Sequence, residues 1–294
     1  MRENPIRNWN INVCRIGPLI VKRCSGERLL QEAENMIYLK AHSEVRVPEV
    51  YAVLTTTHKT GVAIYYLITE YIEGETLTGA KWMTFSHDTR DKILSKISEQ
   101  FHLLRATRSP GFFGRVHSQS FHPMSTLLRG RATKPSGLYN TYEDFLSALY
   151  RAVEICAVTL KSGPELHPDT ASPLSRFNDT RATCKGTRPV FTHVNPHLMN
   201  IIVRPFYNTE ENTEDWEVTL IDFEDCGFLP AWMQAVTLRE RLNMWSKGNS
   251  DFGQDNDEEW LHFLNTIIQG FGEDYTEQVE YMHNLYNSTR SGVM

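Results

Sequence analysis

Two short apolar runs, Ile11 to Ile16 and Leu19 to Val21, are separated by Gly17-Pro18, and this alternation predicts a hairpin with its turn at that dipeptide. Ser25 then reads as the N-cap of a helix running to about Ala41, because Leu29, Leu30, Ala33, Met36 and Ile37 fall at helical spacing. Val45 to Leu54, interrupted by Pro48, and Val62 to Ile72, rich in β-branched and aromatic residues, read as strands. Hairpin, helix and strands make a small α+β unit over residues 1–73.

Beyond Gly74 the period changes. Ile93, Ile97, Phe101 and Leu104 share one helical face, and residues 109–137, dense in Gly, Pro, Ser and Arg, read as loop. Helical spacing returns at Tyr142, Phe145, Leu149 and Val153, then at Trp232, Val236, Arg239 and Asn243. A last amphipathic helix carries Trp260, Leu264, Ile267, Ile268 and Phe271. Between these lie two short strands, Ile201 to Val203 and Trp216 to Ile221, joined by a polar loop from Pro205 to Asp215. Residues 74–294 therefore read as a larger, mainly helical unit.

Composition removes several function classes. A formal net charge of -6, with no segment concentrating Lys and Arg, speaks against a nucleic-acid partner, which needs a basic stripe to release counterions. The five cysteines (Cys14, Cys24, Cys156, Cys184, Cys226) lack C-x-x-C spacing, which argues against a disulfide framework or a zinc site and for a reducing compartment. The polar start MRENPIRNWN does not read as a signal peptide, and no apolar run is long enough to span a bilayer. The expectation is a cytoplasmic protein with a small-molecule substrate, no nucleic-acid partner and no membrane partner.

The densest chemistry lies in Phe191-Thr-His-Val-Asn-Pro-His-Leu-Met-Asn200, followed some twenty residues later by Leu220-Ile-Asp-Phe-Glu-Asp-Cys-Gly227. A polar loop, a strand, an excursion and a second strand ending in Asp would set Asn200 beside Asp222. An amide oxygen and a carboxylate are hard donors suited to Mg²⁺ carrying nucleotide phosphates. An Asn cap and a turn Asp are the plainer alternative for each residue alone.

This segment resembles the aminoglycoside phosphotransferase family, whose pattern H-G-D-x-H-P-x-N-I-L-V followed by I-I-D-W-E-x-A-G is matched by His193, His197, Asn200, Asp222, Glu224 and Gly227. Val21-Lys22, Gln31-Glu-Ala-Glu34, Pro48-Glu-Val-Tyr51 and Ile68 to Leu77 agree in order along the chain, and the flavour is nearest the fungal members found near secondary-metabolite pathways. The resemblance implies a bilobal, protein-kinase-like fold with a catalytic-loop-like segment at 191–227. It implies that Lys22 holds the α- and β-phosphates and that a glutamate of the following helix orients it; Glu32, three residues after Leu29 and four before Met36, shares the apolar face and needs such a partner, which leaves Glu34 the weaker candidate. It further implies that backbone groups from Glu70 to Ile72 meet adenine, that Asn200 and Asp222 hold Mg²⁺, and that His193 is a loop histidine within the catalytic segment.

Two departures concern the same activity. Asn195 stands where the family has its catalytic aspartate, and a neutral amide does not replace a general base worth about 10²–10⁴ in rate. Residues 1–16 contain no glycine, so the strand and loop that would clasp the phosphates read as shortened or absent. With Asn195, His193 and Asp222 as catalytic-site candidates, the expectation is a scaffold degenerate as a kinase and repurposed as a cofactor-independent natural-product cyclase or pericyclase. The alternative is an ATP- and Mg-dependent O-phosphotransferase acting on a small hydroxylated metabolite; a third reading is a non-catalytic pseudokinase. Phe112, Phe113, Tyr139, Tyr142, Phe145, Trp232 and Trp245 are candidates for an apolar cleft lining, or else ordinary core.

Overall fold

The computed structural model describes residues 6–7, 12–121, 137–160, 185–210, 212–248 and 257–290. The first strands are β1 (Ile6–Arg7), β2 (Asn12–Ile16), β3 (Leu19–Cys24), β4 (Val50–Thr57) and β5 (Ala63–Glu70), forming one antiparallel sheet in the order β1-β2-β3-β5-β4. The β2–β3 turn falls at Gly17-Pro18, where Gly17 takes a φ of +60°, open to glycine without steric cost. Among the described residues β1 pairs Ile6 with Val13 and Arg7 with Asn12.

Helix α1 (Arg28–His42) joins β3 to β4 and crosses one face of this sheet. Its N-cap is Glu27, two residues beyond the expected Ser25, and Glu27 makes no side-chain capping bond. Its inner face buries Leu29, Glu32, Ala33, Asn35, Met36 and Leu39. Cross-strand register sets Val13, Lys22, Leu67 and Val53 opposite one another, so they share one face of the sheet.

The rest of the chain is mainly helical. After β6 (Glu75–Thr76) come α2 (Gly79–Thr84), capped by Thr78, and α3 (His87–Ala106), capped by Ser86. Helix α4 (Tyr142–Leu160) precedes β7 (Pro189–Thr192), β8 (Ile201–Asn208), β9 (Thr213–Leu220) and β10 (Gly227–Pro230). Helices α5 (Met233–Gly248), α6 (Asp257–Gln269) and α7 (Thr276–Arg290) follow. β7 pairs with β10, and β6, β8 and β9 form a second small sheet. Gly74 leads into β6 with φ +134°, where a Cβ would lie 2.6 Å from the Val203 carbonyl oxygen, so only glycine fits the crossing.

The sequence pattern needs correction at three places. Most of the expected polar loop at 205–215 is strand: β8 and β9 pair from Ile201↔Leu220 out to Asn208↔Thr213. Helix α7 was not anticipated. The aromatic candidates for a cleft lining are largely core: Phe145 is fully buried, Phe113 and Trp232 nearly so, and Trp232 donates its indole N–H to the Tyr142 hydroxyl at 3.0 Å. Phe113 stacks on Phe145, with ring centroids 5.5 Å apart. The side chain of Trp245 lies outside the described residues. Among the described residues no helix is long and apolar enough to cross a membrane.

Candidate functional site

The site forms where α1 faces the two segments flanking the β8–β9 hairpin. Lys22, pointing off β3 toward α1, places its Nζ 2.6 Å from Glu32 Oε1 and 3.0 Å from Asp222 Oδ1. Glu34, two residues further along the helix, turns away to Arg115 at 2.6 Å. Lys22 is 14% exposed and Glu32 2%, so both charges are nearly out of water and depend on one another.

The hairpin explains why residues far apart in sequence meet. Ile201 pairs with Leu220, and the Ile221 amide donates to the Asn200 carbonyl at 3.0 Å, so the residues just outside the two strands are neighbours. Asn200 donates its Nδ2 to the Asn195 carbonyl at 2.9 Å and to Asp222 Oδ2 at 3.3 Å. The amides of His197 and Asn200 bond to the carbonyls of Asn195 and His197, each at 2.9 Å, tying the loop into a compact turn. Asn195 itself is half-buried.

His193 acts as a brace. It is almost wholly buried, its Nε2 donates to the Ile221 carbonyl at 2.9 Å, and its backbone exchanges bonds with the Gln234 side chain at 2.8 and 3.0 Å. It thereby fixes the residue immediately before Asp222. Asp222 has φ +68°, the left-handed region that costs a non-glycine residue strain.

Electrostatics drive Asp222 and Glu224 apart. Burial pushes the Asp222 carboxyl up, but the Lys22 charge and hydrogen bond outweigh it and hold the group down at about 2. Burial followed by the nearby Asp222 charge pushes Glu224 up to about 8, against the opposing pull of the Arg28 guanidinium, which donates a hydrogen bond to it. Burial pulls the Lys22 ammonium down; Glu32 and then Asp222 outweigh that and raise it, so it stays charged.

At the far end of the sheet, Glu70 donates its backbone N–H to the Glu49 carbonyl at 2.9 Å, and Tyr71 donates to Pro18 at 2.8 Å. The Arg15 guanidinium lies 3.5 Å above the Tyr71 ring. Two of the expected hinge amides are thus already engaged, and Ile72 follows directly.

A family-wide sequence profile, described as the phosphotransferase enzyme family, matches residues 6–276. The chain belongs to that family. Solved phosphotransferases share the fold. The GDP and kanamycin complex of APH(2")-IIia superposes with a TM-score of 0.56 at 14% identity, covering 99% of this chain and 84% of that one. APH(3'')-Id from Streptomyces rimosus gives 0.54 at 14% identity, covering 98% and 92%. A thermostable mutant of APH(4)-Ia with AMP-PNP and hygromycin B gives 0.54 at 11%, covering 99% and 94%. No curated protein matches the chain in sequence. At these identities the superpositions establish the bilobal kinase-like fold and nothing finer.

Within this phosphotransferase scaffold the structure brings together Lys22, Glu32, Asn200 and Asp222, with Asn195 and His193 in the adjoining turn. Among the described residues, Glu70 at the end of β5 and Ile72 beyond it make no bond to this cluster. Sequence reasoning missed Arg28, Asn35 and Gln234, which support the site. Arg28 and Asn35 lie four residues before and three after Glu32, at helical spacing, and that spacing was the available signal.

Proposed function

We propose that this protein is a nucleotide- and Mg²⁺-dependent O-phosphotransferase acting on a small hydroxylated metabolite in the cytoplasm. The supporting observation is Lys22 bridging Glu32 and Asp222 with Asn200 beside them. Buried charge of this kind is costly to assemble and is weak as a stabilising device, so its intact geometry favours use over inheritance. The residues present fit a metal-bound nucleotide. Asp222 is held ionised, and Asn200 spends its amide nitrogen on Asn195 and Asp222, which leaves the amide oxygen as its ligand atom. Mg²⁺ held there would supply charge that neutralises the phosphates.

In this reading Lys22 holds the α- and β-phosphates while Glu32 keeps it oriented. The hinge offers the Glu70 carbonyl and the Ile72 amide to a base. Asn195 accepts a hydrogen bond from the acceptor hydroxyl and aims its oxygen without taking the proton. Phosphoryl transfer has a loose transition state, in which positioning and electrostatics carry most of the catalysis, so the hydroxyl proton can leave late for a phosphoryl oxygen. The expected enzyme is slow. Solved members of the fold are described with kanamycin and hygromycin B, which supports a polyhydroxylated acceptor.

The decisive experiment titrates Mg-ATP and Mg-GTP by calorimetry and follows phosphate transfer to a panel of hydroxylated acceptors by mass. Saturable nucleotide binding, lost in Lys22→Ala, is expected together with products heavier by one phosphate. Absence of any nucleotide binding at millimolar concentration sinks the reading.

The second reading, a cofactor-independent natural-product cyclase, is favoured by the neutral Asn195 and by the absence of glycine from residues 1–16. It predicts conversion of the physiological substrate in excess EDTA with no nucleotide added. The buried aromatic cluster around Phe113 and Phe145 weakens it, because those rings pack on one another.

A further inference from the structure

One fully buried polar group has no part in the phosphotransfer reading. Asn35 has no exposed surface, and from the middle of α1 it donates its Nδ2 to two carbonyls of the loop after Asp222: Phe223 at 2.7 Å and Cys226 at 3.3 Å. We propose that Asn35 is a positioning residue for Asp222, clamping the turn at 223–226 so that the carboxylate keeps the backbone geometry needed to face Lys22 and a metal-bound nucleotide. The functional half of this proposal rests on the phosphotransfer reading.

The left-handed backbone of Asp222 persists only if the chain is held on both sides of it. On the preceding side, His193 grips the Ile221 carbonyl and the Asn200 carbonyl accepts the Ile221 amide. On the following side the turn's own closure, the Cys226 amide to the Phe223 carbonyl, is a long 3.4 Å. The short bond at the Phe223 carbonyl comes from Asn35, and the same amide group reaches the other end of the turn. A side-chain amide has two N–H donors and can serve two buried carbonyls; a hydroxyl has one and a carboxylate has none. Arg28 adds a second strut, but it holds the Glu224 side chain and not the path of the backbone. The clamp has a fixed base, since Glu34 pairs with Arg115 and Tyr38 packs against Phe191 and Phe228 on the same helix.

Asn35→Asp, isosteric but unable to donate twice, and Asn35→Ser, with one donor, separate this role from simple packing. Hydrogen exchange of the peptide covering 221–227 in the intact protein is expected to accelerate roughly tenfold in both variants, with α6 unchanged. The Mg²⁺ concentration that half-saturates ATP binding is expected to rise about 10–100-fold, as for other residues that orient a ligand, while acceptor KM stays put. If Asn35→Asp does not fold, Asn35→Ser carries both measurements. Unchanged exchange at 221–227 overturns the clamp. Faster exchange with an unchanged Mg²⁺ requirement reduces Asn35 to a structural residue and overturns its positioning role. A wild-type protein that binds no Mg-ATP defeats the phosphotransfer reading, and the exchange measurement then decides the clamp alone.

Discussion

The phosphate and acceptor sides of the proposed phosphotransfer site differ in how much of their chemistry is assembled. On the phosphate side, Lys22, Glu32, Asp222 and Asn200 form a connected set of charge-assisted bonds, supported by Arg28, His193 and Gln234. On the acceptor side stands Asn195, a half-buried neutral amide in a turn whose shape is otherwise complete. On the phosphotransfer proposal, the difference teaches that the groups that would hold a phosphoryl donor can stay assembled while the one that would handle the acceptor's proton is exchanged. The two tasks are bonded through separate atoms: the loop uses the backbone carbonyl of Asn195, so its side chain can change without disturbing Asn200 or Asp222.

The strongest way to break this contrast is to remove the phosphate side. Lys22→Ala leaves Glu32 and Asp222 facing each other in a buried site, and a loss of about 3–5 kcal/mol of stability is expected, with nucleotide binding abolished. Chemical denaturation and calorimetry measure both. The opposite operation restores the acceptor side. Asn195→Asp is expected to leave the melting temperature nearly unchanged and to raise phosphoryl transfer by up to about 10²–10⁴, read from initial rates at neutral pH. No gain in that variant would show that more than the base separates this site from its relatives.

A smaller effect tests the divergence of the Asp222 and Glu224 carboxyls. Glu224, raised to about 8 chiefly by burial, binds a proton in the folded state that it has lost in the unfolded chain above its ordinary range. Stability from this group is therefore complete in mild acid and falls as pH rises toward 8, by at most about 1.4 kcal/mol per pH unit. Asp222 is depressed and acts in the opposite sense, its contribution disappearing only as pH falls from about 4 toward 2. Glu224→Gln should flatten the stability profile between pH 5 and 8. A slope unchanged in that variant would assign the dependence to another group.

Much of this architecture was legible because it is carried by local signals. Gly17-Pro18 marked the first turn, helical spacing marked α1, and the flanks of one excursion placed Asn200 beside Asp222. Glu32 was preferred over Glu34 as the partner of Lys22 from its place on the apolar face, and the 2.6 Å contact agrees. The β8–β9 hairpin was underestimated because its outer half is exposed and polar; it is held by cross-strand pairing and by Arg204 against Glu217, which composition cannot distinguish from loop. Helix α7 offers only a narrow apolar stripe, with Val279 and Met282 buried three residues apart, so its periodicity is faint. For Asn35, the spacing from Glu32 marked the helix face but not the contacts. Its partners are backbone carbonyls, which every residue carries, and they lie 188 and 191 positions away.

The anchoring of α1 has a consequence for selectivity. Protein kinases regulate themselves by swinging the corresponding helix, and their two helix positions give a ligand something to choose between. Here that helix is pinned at four successive points, by Arg28 to Glu224, Glu34 to Arg115, Asn35 to the loop carbonyls, and Tyr38 to Phe191 and Phe228. A ligand can shift an equilibrium only through a difference in its affinity for two states. A ligand that needs this helix displaced must also break these four contacts, so selectivity for a displaced helix is expected to be costly here.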